Sequence, residues 1–173
     1  MKEHEVKILE INEEEVIKKL ESLNAKKDYD EIIESEYYDF KDGSLKNSSK
    51  MLRLREIAGK NFITFKNYGE KENILMNYEH ESEVSDINAV RNILNHLGLA
   101  SFSSEKRRRV SFILHDARID INKHNNIPAY IEVETESPEK LKQIVSLLGF
   151  SMNDTKTWTG GEVLDYYKRR KEN

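Results

Sequence analysis

Three short segments place acids at every second position: Glu3-His4-Glu5-Val6-Lys7-Ile8, Tyr78-Glu79-His80-Glu81-Ser82-Glu83-Val84 and Ile131-Glu132-Val133-Glu134. Bases recur at the same interval in Leu52-Arg53-Leu54-Arg55 and Lys106-Arg107-Arg108, and Thr64-Phe65-Lys66 and Arg118-Ile119-Asp120-Ile121 extend the pattern. A period of two is that of a β-strand, so each segment puts charge on one face and apolar side chains on the other. Carboxylates are oxygen donors suited to a hard cation such as Mg²⁺, which binds through a few carboxylates together with substrate phosphates. Lys and Arg suit phosphate oxygens, Arg as a two-pronged donor. Same-face residues on one strand lie about 6.7 Å apart, so a single Glu-x-Glu cannot build a compact metal site. Carboxylates from neighbouring strands must converge, and three acid strands permit that.

The elements that position these residues are readable from period and punctuation. Asn12 caps a helix with Glu15 at the capping-box position, and Val16, Leu20 and Leu23 form its buried stripe. Residues 32–40 are extended, Lys41 to Ser44 is a turn, and Ala58-Gly59-Lys60-Asn61 closes a hairpin between two strands. Residues 67–73 read as a polar loop. A second helix carries Ile87, Val90, Leu94 and Leu97 and stops at Gly98. Strands over 106–112 and 117–121 follow, joined at His115-Asp116. Ser137-Pro138 opens a third helix, with Leu141, Ile144, Val145 and Leu148 inward and Gly149 at its end. A last helix holds Val163, Leu164 and Tyr167. An acid-alternating strand followed by an amphipathic helix thus occurs three times.

Helix stripes match the apolar strand faces, so helices cover one side of an antiparallel sheet and charge of both signs collects on the other. The acids are Glu3, Glu5, Glu79, Glu81, Glu83, Asp120, Glu132 and Glu134; the bases are Lys7, Arg53, Arg55, Lys66, Lys106, Arg108 and Arg118. About eight strands can close into a barrel. Closed with these residues inward, such a sheet makes a polar tunnel with amphipathic helices packed outside. The natural resident of such a tunnel is a polyanion with a hard cation, because unpaired buried charge is costly. His4 and His80 fall on the face opposite the acids and read as packing or surface residues, and His115 and His124 as loop residues.

Composition bounds the alternatives. In 173 residues, 35% are charged yet the net charge is only −4, which argues against a nucleic-acid binder working by bulk positive charge. There is no cysteine, hence no disulfide framework or thiolate metal site. No apolar run approaches the roughly 18 residues of a membrane span. One soluble, cytoplasmic domain over 1–173 is expected, without nucleic-acid or membrane partners, as a monomer or homodimer.

In order along the chain, Glu3-His4-Glu5-Val6-Lys7, Leu52-Arg53-Leu54-Arg55, Thr64-Phe65-Lys66, Glu79 to Glu83, Lys106-Arg107-Arg108, Asp120 and Glu132-Val133-Glu134 resemble the motifs of the CYTH domains, also called triphosphate tunnel metalloenzymes. The resemblance implies an α+β fold, an eight-stranded antiparallel closed β-barrel with amphipathic helices packed outside, whose tunnel binds a triphosphate with Mg²⁺ or Mn²⁺. It further implies that Lys7, Arg53, Arg55, Lys66, Lys106 and Arg108 clamp phosphates, and that Glu3, Glu5, Glu81, Glu83, Asp120, Glu132 and Glu134 hold metal. Glu5, Lys7 and Glu134 are the catalytic candidates. Where cyclase-like members carry a Gly-Leu-Gly turn, this chain has His124-Asn125-Asn126-Ile127-Pro128-Ala129. Three functions follow from such a tunnel: a metal-dependent triphosphatase, a class IV adenylate cyclase that forms cyclic AMP and pyrophosphate, or a non-catalytic polyphosphate or nucleotide-binding module.

Overall fold

A computed structural model describes residues 2–71 and 74–172, without the side chains of residues 2, 70, 71 and 172. The strands are β1 (Lys2–Ile8), β2 (Lys26–Phe40), β3 (Lys50–Ile57), β4 (Lys60–Lys71), β5 (Leu75–Val84), β6 (Leu99–Leu114), β7 (Ala117–Lys123), β8 (Tyr130–Thr135) and the two-residue β9 (Thr155–Lys156). Helices are α1 (Glu13–Ser22), the single turn α2 (Ser44–Asn47), α3 (Ile87–His96), α4 (Pro138–Leu147) and α5 (Gly160–Glu172). The hydrogen-bonded order is β5-β4-β3-β2-β6-β7-β8-β1-β9, and β1 also pairs with β5. Eight strands therefore form a closed antiparallel β-barrel, with β9 added on β1. Closure removes the free strand edges that an open sheet would leave for aggregation.

Local chemistry sets the boundaries. The Asn12 side chain accepts from the backbone N–H of Glu14 and Glu15, and its amide donates to Glu15 at 3.2 Å, completing the expected cap of α1. Asp86 and Ser137 cap α3 and α4 in the same way. Gly98 and Gly149 follow α3 and α4 with φ of 89° and 90°, a conformation glycine adopts without penalty. Ala58 and Gly59 both take positive φ, and Ile57 pairs with Lys60, so the β3–β4 connection is a two-residue turn that locks register. His115 and Asp116 adopt the same left-handed pair between β6 and β7.

Several strands outrun their sequence signal. Residues 67–71, expected in a loop, continue β4; the rest of that expected loop, residues 72 and 73, lies outside the described residues. β2 begins at Lys26, where Lys26-Lys27-Asp28 is exposed on both faces and shows no apolar period. Ser44 belongs to α2 rather than to a turn. Asp39 fixes α2 by accepting the backbone N–H groups of Leu45 and Lys46 at 2.9 and 3.0 Å.

The fold comprises two compact units. One comprises Glu31–Gly69 and Asn77–Arg108; the other comprises Glu3–Asp30, Glu70–Met76 and Arg109–Asn173. In the first, Ile87, Val90 and Leu94 of α3 pack on Tyr38, Leu52, Leu54, Ile63 and Leu99. In the second, Val16 and Leu20 of α1 and Leu141, Ile144 and Val145 of α4 pack on Val6, Ile8, Val110, Phe112, Ile119, Ile121, Ile131 and Val133. In β1, β3, β7 and β8 the apolar residues alternate with charged ones. Leu20 is fully buried in this cluster, so Leu20→Ala is expected to lower unfolding free energy by about 2–5 kcal/mol. Urea denaturation followed by circular dichroism measures it, and a loss below about 1 kcal/mol would contradict the packing described.

Candidate functional site

In the second unit the polar face of β1, β6, β7 and β8 carries a buried chain of opposite charges. Lys7, 1% exposed, contacts Glu5 and lies 3.3 Å from Glu132. Arg109 reaches Glu132 and Asp120, each at 2.6 Å, and its Nε donates to Asn122 Oδ1 at 2.8 Å. Burial alone would lower the affinity of Lys7 for its proton, but the adjacent Glu5 and Glu132 raise it well above the ordinary lysine value. Arg109 is held charged in the same way by Asp120 and Glu132. Both cations are fixed as charged donors at any working pH.

Register shows why these residues meet. Across β1 and β8, Lys7 stands opposite Glu132 and Glu5 opposite Glu134. Across β7 and β8, Asp120 stands opposite Glu132 and Arg118 opposite Glu134. Five carboxylates (Glu3, Glu5, Asp120, Glu132, Glu134) thus share a face with three cations (Lys7, Arg109, Arg118). Arg118 also pairs with Asp28 at 3.0 Å. Like charges set directly opposite one another, as Glu5 and Glu134 are, are unfavourable unless a cation joins them. Asp120 Oδ1 is buried and has no hydrogen-bond partner among the described residues. Hard oxygen donors, an excess of negative charge and an orphaned carboxylate oxygen fit a divalent cation by chemistry. Among the described residues no three acidic or histidine side chains converge on one point; Glu132 and Asp120 are turned to Lys7 and Arg109.

The first unit carries a second charged face. Arg55 Nη2 donates to both oxygens of Glu81, at 3.0 and 2.7 Å, and Thr64 Oγ1 donates to Glu81 at 2.6 Å. Lys66 lies 2.5 Å from Glu79. Tyr37 donates to Glu105 at 2.7 Å, and Arg107 pairs with the same carboxylate. On this face Glu79, Glu81 and Glu105 are engaged by Lys66, Arg55 and Arg107, and Asp39 by the backbone N–H groups of Phe40, Leu45 and Lys46, so Arg53 is left over. It is 7% exposed, stands between Tyr37 on β2 and Thr64 on β4, and has no ion pair or hydrogen bond to another side chain among the described residues. Burial alone would push the Glu81 carboxyl up, but Arg55, Thr64 and Arg53 bring it below its ordinary value of 4.5.

Most sequence candidates fall on these two faces, with one shift of phase. Lys106, expected to clamp phosphate, has its side chain 66% exposed and pairs with Glu34 at the surface. Arg108 is half-buried and takes the same side of β6 as Val110, Phe112 and Leu114. The buried polar positions are instead Arg107, Arg109 and Ser111. A one-residue change of phase exchanges the faces of a strand, and four consecutive bases disguise it. Continuation of the alternation to Val110, Phe112 and Leu114 was the signal that reveals it. Glu83 pairs with exposed Lys60 at 3.0 Å, away from the other acids' ion pairs. His4 is buried on the apolar side of β1, as expected.

The C-terminal helix meets the acid-bearing strand β8 at its first residue. Val163 and Tyr167 of α5 bury Tyr130, which alternates with Glu132 and Glu134, and Leu9, Ile127 and Trp158 pack around them. Tyr167 donates to Glu10 at 3.0 Å and Arg170 reaches the same oxygen at 2.7 Å. Sequence alone puts Tyr167 in a last helix, without placing it at this end of the charged face.

The model of the CYTH domain family matches residues 1–157, leaving α5 outside the matched segment. Among solved structures, a protein from Pyrococcus horikoshii is 27% identical, with 91% of this chain and 96% of that one covered and a TM-score of 0.77. A Vibrio parahaemolyticus protein proposed as an adenylate cyclase is 18% identical, with coverages of 94% and 97% and a TM-score of 0.83. A Hippeastrum protein, proposed as an adenylyl cyclase and found to have a dominant triphosphatase activity, is 14% identical, with 95% of each chain covered and a TM-score of 0.68. No curated protein matches at a significant level.

Two measurements test the charge arrangement. Arg109→Leu leaves Asp120 and Glu132 without a buried partner and is expected to destabilise the fold by about 3–5 kcal/mol. Lys106→Leu removes only a surface pair and is expected to change stability by no more than about 1 kcal/mol. Equal losses in urea titrations would contradict the assignment of Arg109 to the buried face. The stabilising effect of ionised Glu81 is fully present above its unfolded value of 4.5 and is lost as pH falls through the lower folded value. Glu81→Gln should therefore flatten the fall of melting temperature with pH below about 4.5; an unchanged acid limb would contradict it.

Proposed function

The chain belongs to the CYTH domain family, and from that premise we propose that it is a divalent-metal-dependent triphosphatase acting on a short triphosphate. Inorganic tripolyphosphate, a nucleoside triphosphate and thiamine triphosphate are the substrates of this class. The observation that carries the reading is Arg53, a buried guanidinium with no carboxylate of its own on a face whose other bases are paired. An unpaired buried charge costs several kcal/mol, on the order of what removal of its partner costs in measured ion pairs. A phosphate oxygen supplies the missing anion, and Arg presents the fork that matches it.

Arg53 takes one phosphoryl group directly. Arg55 and Lys66 contribute as their contacts to Glu81 and Glu79 rearrange around the incoming anion, and Arg107 takes the role expected of Lys106 and Arg108. Glu3, Glu5, Asp120, Glu132 and Glu134 would hold Mg²⁺ or Mn²⁺, which when bound neutralises charge on the transferring phosphoryl oxygens. Glu81 and Glu83, engaged by Arg55 with Thr64 and by Lys60, would join the donor set only as those contacts rearrange. Lys7 holds Glu5 and Glu132 in place as a positioning residue. Water attacks the terminal phosphorus, the phosphoanhydride bond to the next phosphate breaks, and the proton of the water passes to Glu5 or Glu134. Orthophosphate and the shortened phosphate chain leave.

The deciding assay offers tripolyphosphate, ATP and thiamine triphosphate with Mg²⁺ or Mn²⁺ and resolves orthophosphate from pyrophosphate plus cyclic AMP. Metal-dependent orthophosphate release is expected, abolished by EDTA and by Glu134→Gln. Arg53→Met is expected to raise KM about tenfold to a hundredfold, the range for a hydrogen bond to a charged group. Cyclic AMP with pyrophosphate from ATP would replace this reading with a cyclase. Tight binding without turnover would replace it with a binding module.

A further inference from the structure

Ser35 lies on β2 with 2% of its surface exposed, and its Oγ has no hydrogen-bond partner among the described residues. Register places it opposite Arg55, one pair along from Tyr37 opposite Arg53. It therefore shares the charged face of the first unit. Two neighbouring hydroxyls on that face have acceptors: Thr64 donates to Glu81, and Tyr37 donates to Glu105. Those carboxylates are further occupied by Arg55 and Arg107. Among the described residues, the Arg53 guanidinium and the Ser35 hydroxyl are left on that face without an acceptor.

A buried hydroxyl that donates to nothing is a net cost to the fold. Alanine would fill the same space without that cost, since it differs by one oxygen. A serine whose only task is to be small would be equally well an alanine. The two unsatisfied donors sit on adjacent strands of a face that is rich in donors, and what they lack is an oxygen acceptor carrying negative charge.

We propose that Ser35 is a substrate-contacting residue, whose hydroxyl donates to a non-bridging oxygen of the same phosphoryl group that Arg53 binds. The inference rests on the triphosphate reading and adds to it a neutral donor. The hydroxyl contributes a short, directional hydrogen bond without further positive charge beside Arg53 and Arg55, so it sets the orientation of the phosphoryl group.

Binding of tripolyphosphate is measured by isothermal titration calorimetry in EDTA and again with Mg²⁺, for the wild type, Ser35→Ala and Arg53→Met. Melting temperatures of the ligand-free proteins are recorded alongside. For Ser35→Ala the expectation is a Kd weakened about tenfold with an unchanged or raised melting temperature in the free protein. A wild type that binds, an Arg53→Met that loses affinity and a Ser35→Ala that binds like wild type would overturn the role of Ser35 and leave the triphosphate reading intact. A wild type that does not bind tripolyphosphate, ATP or thiamine triphosphate in either buffer would overturn both. Unfolding, or a melting temperature several degrees lower, in Ser35→Ala with unchanged affinity would show that the hydroxyl serves the fold, and would also overturn the proposal.

Discussion

Ionised side chains can be buried on the face of a sheet only where each finds a charge of opposite sign, because desolvation of a lone ion costs more than a small domain can tolerate. The strands of this protein obey that constraint almost everywhere. Lys7 is held by Glu5 and Glu132, Arg109 by Glu132 and Asp120, Arg55 by Glu81, and Lys66 by Glu79. The exceptions carry the functional meaning. In one unit Arg53 stands without an ion pair; on the charged face of the other, acids outnumber bases and Asp120 Oδ1 stands without a donor, both among the described residues. One exception calls for an anion and the other for a cation.

Such an arrangement needs a scaffold that keeps register. Closure of the eight-stranded ring leaves no strand free to slide, and the two-residue turns at Ala58-Gly59 and His115-Asp116 set the pairing at two hairpins. The helices stabilise the strands from the apolar side: α1 and α4 bury one set of strand residues and α3 another. Stability comes from that apolar packing, while the charged face is left to be set by chemistry. Buried ion pairs are weak contributors to stability in themselves, which makes their number here an argument about ligand rather than about fold.

Much of this was legible in the residue pattern, for definite reasons. Strands with one apolar face announce themselves by alternation, so Glu5, Lys7, Arg53, Asp120 and Glu132 were placed on their faces from spacing alone. Helix ends were legible because Asn12, Ser137, Gly98 and Gly149 satisfy backbone requirements that few other residues meet. The run from Lys106 to Arg109 was not legible in phase, because four like residues have no phase of their own; the phase resides in the apolar residues that follow. The first part of β2 was illegible because Lys26 to Asp28 bury neither face. Ser35 was invisible for a different reason. A lone serine in a strand has no signature, and its meaning appears only when the partners of every neighbouring donor are known.

On the proposed reading, the leftover charges are complementary to a triphosphate and its metal. Crystals grown with Mn²⁺ and a non-hydrolysable triphosphate analogue test it most directly, since anomalous scattering locates manganese without ambiguity. The account predicts phosphate oxygens on Arg53 and manganese on carboxylates drawn from Glu3, Glu5, Asp120, Glu132 and Glu134. A structure from saturated crystals with Arg53 still lacking an anion, or with manganese on other side chains, would contradict it.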